Sequence, residues 1–348
     1  MTMRPILQAV IGTEAILGIL LNIFVIRVIS KLSDKTLKYY RFCLLISTAQ
    51  SILYSMSNVV CVLTHIVDHD AVYSTFNGLV LFFPKWASDI SLIAWIVLAV
   101  ASWTILPAAF MLQYMIIVRQ SLATWRILSY IYMFCFIVST PIFATVKDAF
   151  PLESFAQTLE PTVRSMYSLS PEDRVIVYGG TLFPRPANGN RTFALYIFLG
   201  VGLTFVVSYG MVLFCVRGIL KAIREQTANN LARSDKTLKM QRRFVTMLMM
   251  EATIPFFFLG VTVGIFTLAG LAGVELGLSA LVMSFVVAAV PAIQALLYVY
   301  HLRGRSEQRS KSNQTTVTAL RTGRTSATQN PDSVATGTLA NQERVESR

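Results

Sequence analysis

The chain has 348 residues, of which 54% are hydrophobic and 14% are charged, and its formal net charge is +12. A soluble domain carries about a quarter charged residues, so this composition excludes an ordinary water-soluble fold and predicts a membrane protein. The positive charge does not indicate nucleic-acid binding, because the basic residues lie between apolar runs without interleaved base-stacking aromatics.

Seven apolar runs are predicted to cross the bilayer as helices, because a span needs roughly 20 mostly apolar residues and lipid offers no partner to a free backbone group. In chain order these spans are 5–29, 40–64, 91–118, 127–149, 192–216, 243–270 and 277–300. Residues 1–303 are therefore predicted to form an all-α bundle of seven transmembrane helices. The proline-rich connection at 150–190 is predicted to be a long loop over the mouth of the bundle.

The positions of lysine and arginine predict the orientation of the bundle. Most of the 30 Lys and Arg residues lie in the connections and the tail on the carboxyl-terminal side. Basic connections stay in the cytoplasm, so the amino terminus is predicted to be outside the cell and the carboxyl terminus inside. The triplet Asn190-Arg191-Thr192 agrees, because it is a glycosylation sequon on the predicted outer side, and Asn190 is a candidate glycosylation site.

Two predicted helices contain a carboxylate, Glu14 in the first and Glu251 in the sixth. Ionisable groups inside a membrane are costly and are functional candidates by default. Glu14 has two open interpretations, a hydrogen-bonded packing group and a ligand contact. For Glu251 we expect the carboxylate to pair with Arg119 or a nearby tyrosine in the resting state.

The third predicted helix carries four candidate ligand contacts. Trp86 and Asp89 lie at its outer start, and Trp95 and Trp103 follow within the helix. Trp95 and Trp103 are eight residues apart, close to two helical turns, so they share one face, which lines an apolar cavity if it points inward. Tryptophan at a membrane boundary is also typical of an interface anchor, which is the alternative interpretation of Trp86.

Two basic stripes mark the predicted cytoplasmic face of the fifth and sixth helices. One follows i, i+4, i+7 spacing below the fifth helix and the other leads into the sixth, so the two stripes frame a groove. Positive-inside topology with attraction to anionic lipid explains these charges, and a docking site for a cytosolic signalling protein explains them equally well. The candidate protein contacts are Arg119, Arg217, Lys221, Arg224, Lys236, Lys239, Arg242 and Arg243.

No enzymatic chemistry is predicted. The three histidines, His65, His69 and His301, lie on both sides of the predicted membrane, whereas a catalytic zinc needs three or four ligands at one depth. The Gly277-Leu278-Ser279 triplet is similar to the nucleophile of an intramembrane serine protease, but no histidine in a neighbouring helix can take the serine proton. The seventh helix has no lysine for a retinal Schiff base, so retinal is not predicted as a cofactor. Because the histidines are also separated, the sequence predicts neither a cofactor nor a metal.

The carboxyl-terminal segment, 304–348, is rich in serine and threonine and has no apolar periodicity. It is predicted to be a disordered cytoplasmic tail. Its hydroxyl groups are candidate substrates of a receptor kinase, with arrestin as a further partner.

A motif that leads into the sixth helix resembles that of a known receptor family. It consists of SDKTLKMQRRF at 234–244, followed by Leu248, Glu251 and Pro255. In spacing it is similar to the Ser, Thr, Gln, Leu, Gln and Pro pattern of the nematode chemoreceptors of the serpentine receptor str superfamily, including class delta, which are G-protein-coupled receptors. Glu251 stands where members of that family usually carry glutamine.

Further similarities to this family lie in the first, second and seventh helices. They are Gly18 and Asn22, Leu37 with Tyr39 and Tyr40, and Pro291 followed by Tyr298, Tyr300 and Arg303. The chain departs from rhodopsin-like receptors, because it lacks an Asp-Arg-Tyr triplet after the third helix and an Asn-Pro pair in the seventh.

The resemblance implies a chemosensory G-protein-coupled receptor of the plasma membrane, in a sensory cilium, that binds a small apolar or volatile extracellular molecule and activates a heterotrimeric G protein. The candidate switch residues are Glu251, Pro255, Pro291 and Tyr298, with Pro255 as the bend about which the inner half of the sixth helix swings. The alternative interpretation is a transporter or channel for a small solute, which needs a polar path with charged groups near mid-depth.

Overall fold

The computed structural model describes residues 3–31, 38–68, 71–119, 121, 124–145, 153–181, 194–228, 235–277 and 279–301. Within these ranges, seven helical spans are long and apolar enough to cross a membrane. The prediction of a seven-helix bundle is therefore confirmed. The predicted tail at 304–348 and the candidate glycosylation site Asn190 lie outside the described residues.

The helices follow the predicted order, with one further helix between the fourth and fifth spans in the part of the chain that is described. They are α1 (Arg4–Ser30), α2 (Lys38–Cys61), α3 (Lys85–Thr104), α4 (Leu106–Ile117), α5 (Trp125–Thr145), α6 (Glu153–Tyr167), α7 (Ala194–Ala228), α8 (Asp235–Pro255), α9 (Thr262–Leu271) and α10 (Ser279–His301). Helix α7 continues past its predicted limit at 216, because the Lys, Arg, Glu and Gln residues that follow are good helix formers outside the hydrocarbon.

Proline interrupts two of the spans. Pro107 has no N–H to donate to the carbonyl of Trp103, and the third span breaks at Ile105 into α3 and α4. In the sixth span, Pro255 ends α8, and a π-helical turn, Phe256–Val261, separates it from α9. Single π-helical turns inside helices occur often at functional sites, so this segment is a candidate hinge.

A three-stranded antiparallel sheet covers one end of the bundle, which we call the sheet end. Its strands are β1 (Leu63–Asp68), β2 (Ala71–Phe76) and β3 (Val177–Thr181), in spatial order β1-β2-β3. The sequence pattern does not predict this sheet, because β2 is buried on both faces and lacks the polar alternation of a half-exposed strand. Helix α2 accordingly ends at Cys61 rather than at 64, and the 150–190 connection contains α6 and β3 rather than only a loop.

The sheet end has its own hydrophobic core. Leu7 of α1, Tyr73 of β2, and Val163 and Tyr167 of α6 are buried in one cluster. The hydroxyl of Tyr167 also lies 2.8 Å from Oγ1 of Thr64 on β1. Fully burying one such apolar side chain stabilises a fold by about 1.5–3 kcal/mol, so the sheet and α6 are fixed on the bundle.

At the opposite end, which we call the basic end, α4, α7 and α8 pack together. Ile117 of α4, Ile219 and Ile223 of α7, and Val245 of α8 form an apolar cluster there. Helix α7 extends beyond this cluster to Ala228. The two ends therefore differ, one being covered by a sheet and the other formed by helix termini.

Candidate functional site

A cavity of about 150 Å³ lies inside the bundle, directly beneath the sheet. Helices α3, α7, α9 and α10 and all three strands contribute to its wall. The wall is mostly apolar and rich in aromatic rings, namely Trp95, Trp103, Phe198, Phe266, Tyr178 and the imidazole of His65. Small-molecule sites in proteins are typically concave, apolar and furnished with few polar groups, and this cavity has that character.

Trp95 and Trp103 both border the cavity, from one face of α3. The indole N–H of Trp95 donates to Oδ1 of Asn58 at 2.7 Å, and that of Trp103 donates to Oγ1 of Thr204 at 3.2 Å. Because both N–H groups are already paired with protein oxygens, the two rings offer apolar surface to the cavity rather than hydrogen bonds.

His65 borders the cavity although the sequence did not single it out for ligand contact, and the same holds for Tyr178, Phe198 and Phe266. Nδ1 of His65 lies 2.7 Å from Oγ of Ser74, and its ring packs against Trp95 and Phe266, with ring centroids 5.4 and 5.6 Å away. Burial lowers the pKa of His65 to about 4, so the imidazole is neutral at physiological pH. Its position on an unpredicted strand explains why the sequence alone did not place it near Trp95.

The hydrogen bond between His65 and Ser74 fits either neutral tautomer of the ring. If Ser74 donates to Nδ1, the ring proton lies on Nε2, and if Nδ1 donates to Ser74, the serine keeps its hydroxyl proton. In each case one donor hydrogen, on Nε2 of His65 or on Oγ of Ser74, has no further partner among the described residues. Both residues border the cavity, so the pair can offer it one hydrogen-bond donor.

The two other candidate ligand contacts, Trp86 and Asp89, lie away from the cavity wall. Trp86 is 64% exposed. Asp89 accepts a hydrogen bond of 2.7 Å from the hydroxyl of Tyr178, and the Tyr178 ring itself lines the cavity. Burial and this hydrogen bond to a carboxylate raise the pKa of Tyr178. Asp89 therefore lies behind the cavity wall and contacts it through Tyr178. For Trp86, Asp89, Trp95 and Trp103 alike, contact with a ligand stays a prediction.

Glu251 is buried where α8 meets α2 and α10. Its Oε1 accepts hydrogen bonds from Oγ of Ser47, at 3.0 Å, and from the hydroxyl of Tyr298. Glu251 is only 3% exposed, and its Oε2 has no hydrogen-bond partner among the described residues. Of the two partners expected from the sequence, a tyrosine is the one that contacts this carboxyl, whereas Arg119 is exposed at the end of α4.

A second, much smaller cavity adjoins this carboxyl. Glu251, Ser47, Cys43 and Tyr132 border it, and its volume is about 10 Å³. Among the described residues, the hydroxyl of Tyr132 lies near the thiol of Cys43 and has no nitrogen or oxygen partner. A space of this size is about large enough for one water molecule beside these polar groups.

Residues of the first and seventh spans that carry the family resemblance lie together. The side-chain amide of Asn22 donates to the carbonyl oxygens of Gly18, at 2.8 Å, and Pro291, at 3.1 Å. A Cβ on Gly18 would lie 2.7 Å from Oγ of Ser55, so α1 packs closely against α2. Glu14, also on α1, has a buried Oε2 that finds no hydrogen-bond partner in the described part of the chain.

The candidate protein contacts lie at the basic end. Arg217, Lys221 and Arg224 are exposed along α7, and Lys221 is 3.9 Å from Glu225 in a weak i, i+4 ion pair. Arg119 is exposed two residues beyond the apolar cluster of the basic end. Arg242 is exposed on α8, and the side chains of Lys236, Lys239 and Arg243 on the same helix lie outside the described residues.

Comparison with known proteins assigns the chain to a receptor family. A family model described as serpentine type seven-transmembrane GPCR chemoreceptor Str matches residues 8–303. A comparison with curated proteins finds no match. Among solved structures, squid rhodopsin aligns with a TM-score of 0.58 and 14% identity, over 90% of this chain and 86% of that chain. At this identity the likeness concerns the fold alone.

Proposed function

Because the chain belongs to the Str family of serpentine seven-transmembrane GPCR chemoreceptors, we propose that it binds a small extracellular molecule in the cavity beneath the sheet and activates a heterotrimeric G protein at the basic end. The membership confirms the resemblance found in the sequence, and the chain is a multi-pass membrane protein. The observation that carries the proposal is the apolar cavity at the end of the bundle opposite the exposed arginines and lysine of α7.

The cavity favours a neutral ligand of modest size. An engineered apolar cavity of about 150 Å³ in another protein binds benzene, which indicates ligands of roughly six to ten heavy atoms here. Of the described residues that line the cavity, none is Asp, Glu, Lys or Arg, so an ionic ligand would have no counter-charge. The hydrogen-bonded pair of His65 and Ser74 can supply one donor, which suits an apolar molecule with a single acceptor oxygen.

The sixth span connects the cavity to the basic end. Leu259, Thr262 and Phe266 border the cavity, while Glu251 lies about two turns nearer the basic end of the same span, beyond Pro255. A ligand shifts an equilibrium between two packings only by binding them with different affinity. Contacts that change around Leu259 and Phe266 are therefore the means by which the ligand would bias α8.

The orientation and the remaining partners belong to the same proposal. The sheet end faces outside the cell and the basic end faces the cytoplasm, as the distribution of lysine and arginine indicates. Arg119, Arg217, Lys221 and Arg224 then meet the G protein, and a receptor kinase and arrestin act on the segment 304–348. The site of action is the plasma membrane of a sensory cilium.

The test fills the cavity with one added side chain. Ala99→Phe places a ring at the cavity wall, whereas Ala94→Phe adds the same ring to an exposed position of α3 and serves as the control. Cells that carry each receptor are exposed to a panel of neutral volatile molecules of roughly six to ten heavy atoms, and second messenger is recorded. We expect Ala99→Phe to weaken the response to any active molecule by about tenfold or more, which is about 1.4 kcal/mol of binding free energy.

Surface levels of both variants are matched by antibody labelling, because overpacking also destabilises a fold. Equal loss of response in the two variants would contradict the cavity as the ligand site. Movement of a solute or of current without a G protein would favour the transporter or channel interpretation instead.

A further inference from the structure

The contact between α7 and the sixth span is tight at Phe205 and Gly260. A Cβ on Gly260 would lie 2.2 Å from Cζ of Phe205, so the backbone of the π-helical turn rests on that ring. Nearer the basic end, the hydroxyl of Tyr209 donates to the carbonyl of Ala252 at 2.8 Å. The seam between the two spans is therefore closed at these two levels, and again at the basic end, where Val245 packs with Ile219 and Ile223.

The same seam is open one turn nearer the sheet. Gly264 lies four residues after Gly260, and Gly202 lies three residues before Phe205, so both glycines share the faces that meet at the closed level. Within the described ranges, a Cβ on either glycine would meet no heavy atom within 4 Å. Helices α7 and α9 thus diverge above Phe205.

The sheet closes the seam again at its upper edge. Phe198 of α7 packs against the cluster of Val67, Val72 and Phe266, which joins α9 to β1 and β2. The opening is therefore bounded by Phe205 on one side and by Phe198 on the other. We call it the α7–α9 window and define it by Val201, Gly202, Val263 and Gly264.

The α7–α9 window leads directly into the ligand cavity. Val201 and Val263, the immediate neighbours of the two glycines, both line the cavity wall. On the outer side, Leu203 and Ile265 are exposed large apolar residues next to the same glycines. Such a surface faces the hydrocarbon of the bilayer rather than water.

We propose that small lipid-soluble molecules enter and leave the cavity sideways from the bilayer, through the α7–α9 window. The route from the aqueous side is covered by the sheet, whose hydrogen bonds reach α10 through Ser284 and the α9–α10 connection through Leu276. An apolar molecule concentrates in the membrane, so this route raises its local concentration at the site. The inference rests on the proposed function for its ligand, but the path is testable without signalling.

The test uses the tryptophans of the cavity as reporters. The chain has four tryptophans, and replacing Trp86 and Trp125 with phenylalanine leaves Trp95 and Trp103, which border the cavity. The full chain is placed in lipid nanodiscs, and bromobenzene, a heavy-atom quencher of about the size that the cavity accepts, is mixed in by stopped flow. The onset of quenching measures entry, and its recovery after dilution into empty nanodiscs measures exit.

Gly264→Leu and Gly202→Leu each place a branched side chain in the α7–α9 window, whereas Gly210→Leu adds the same group at an exposed position of α7 with equally open space. We expect each window variant to slow both onset and recovery by about tenfold, the effect of a barrier higher by about 1.4 kcal/mol, with the final quenching unchanged. The control should keep the wild-type rates.

Wild-type rates in both window variants would overturn the proposal, as would equal slowing in the Gly210→Leu control. Reduced final quenching at unchanged rates would also overturn it, because the added group would then occupy the cavity and not the path. None of these outcomes bears on G-protein activation, so failure of the path and failure of the proposed function are distinguishable.

Discussion

The carboxyl of Glu251 holds α8 to two other helices through one oxygen atom. Ser47 on α2 and Tyr298 on α10 both donate to Oε1, and the group is almost completely buried. A buried acceptor that loses its donors costs more than the bond itself contributed, so the three side chains favour this packing of the helices as a unit. The sequence raised this possibility because an intramembrane carboxyl needs a partner, but it could not choose between Arg119 and a tyrosine without the helix arrangement.

A substitution series at Glu251 tests whether this packing is the resting state. Glu251→Gln keeps one oxygen that both Ser47 and Tyr298 can reach, but a neutral amide oxygen is a weaker acceptor than a carboxylate, and Glu251→Leu removes the acceptor altogether. Since a hydrogen bond to a charged group contributes about 1 kcal/mol more than one to a neutral group, we expect Gln to raise ligand-free signalling by roughly fivefold and Leu to raise it further. The measurement is second messenger without ligand, at matched surface level.

Tyr298→Phe tests the same interaction from its other side, because it removes one donor and leaves the carboxyl in place. Its basal signalling should rise as well, and combining it with Glu251→Gln should add little, as expected for residues that share one interaction. An unchanged baseline in Glu251→Leu would identify the carboxyl as a packing group only.

At the scale of elements, apolar run length was sufficient to locate the seven spans, because the bilayer imposes both helix and length. The strands were not predictable in this way, since they are short and buried on both faces, and β3 pairs with β2 from about a hundred positions away, as Tyr178 does with Ser74. His65 shows the consequence for the site. Trp95 and Trp103 could be placed on one face from helical spacing, whereas His65 required knowledge of a sheet that no local pattern indicates.

The junction of α8, the π-helical turn and α9 is the element most suited to bending. Pro255 has no N–H to donate to the carbonyl of Glu251. The turn that follows is π-helical, with hydrogen bonds between residues five apart rather than four. The backbone here is thus less constrained than in a continuous α-helix. It lies between the ligand cavity at Leu259 and the carboxyl of Glu251.

Replacing Pro255 with alanine should straighten this junction, because the alanine N–H can pair with the carbonyl of Glu251. We expect signalling to change by several-fold in the basal state, the evoked state or both, at normal surface level; a change of 1 kcal/mol in the balance of two packings is about fivefold. Pro141→Ala in α5, where the proline is accommodated inside one continuous helix, is the control. Equal effects of both substitutions, or none in Pro255→Ala, would remove the junction from the mechanism.

At the scale of the whole molecule, the structure places the candidate ligand cavity and the basic surface at opposite ends of one bundle. A receptor needs that separation, because its two partners lie on different sides of the membrane. The helical framework resembles that of squid rhodopsin, although the sequence lacks the Asp-Arg-Tyr and Asn-Pro patterns of rhodopsin-like receptors. In this chain the arrangement of helices is held by contacts such as those of Asn22 and Glu251.

The direction in which the bundle crosses the membrane decides whether this separation can serve signalling. Lysine and arginine are concentrated on the side of the basic end, which predicts that this end is cytoplasmic. An epitope inserted in the exposed turn at Pro171 and Glu172 of the sheet end should be labelled on intact cells, whereas the same epitope after Arg348 should be labelled only after permeabilisation. Removal of the sequon by Asn190→Gln should in addition abolish any glycan-dependent shift in mobility. Labelling of the carboxyl-terminal epitope on intact cells would put the arginines of α7 outside the cell and exclude them as G-protein contacts, whatever the cavity binds.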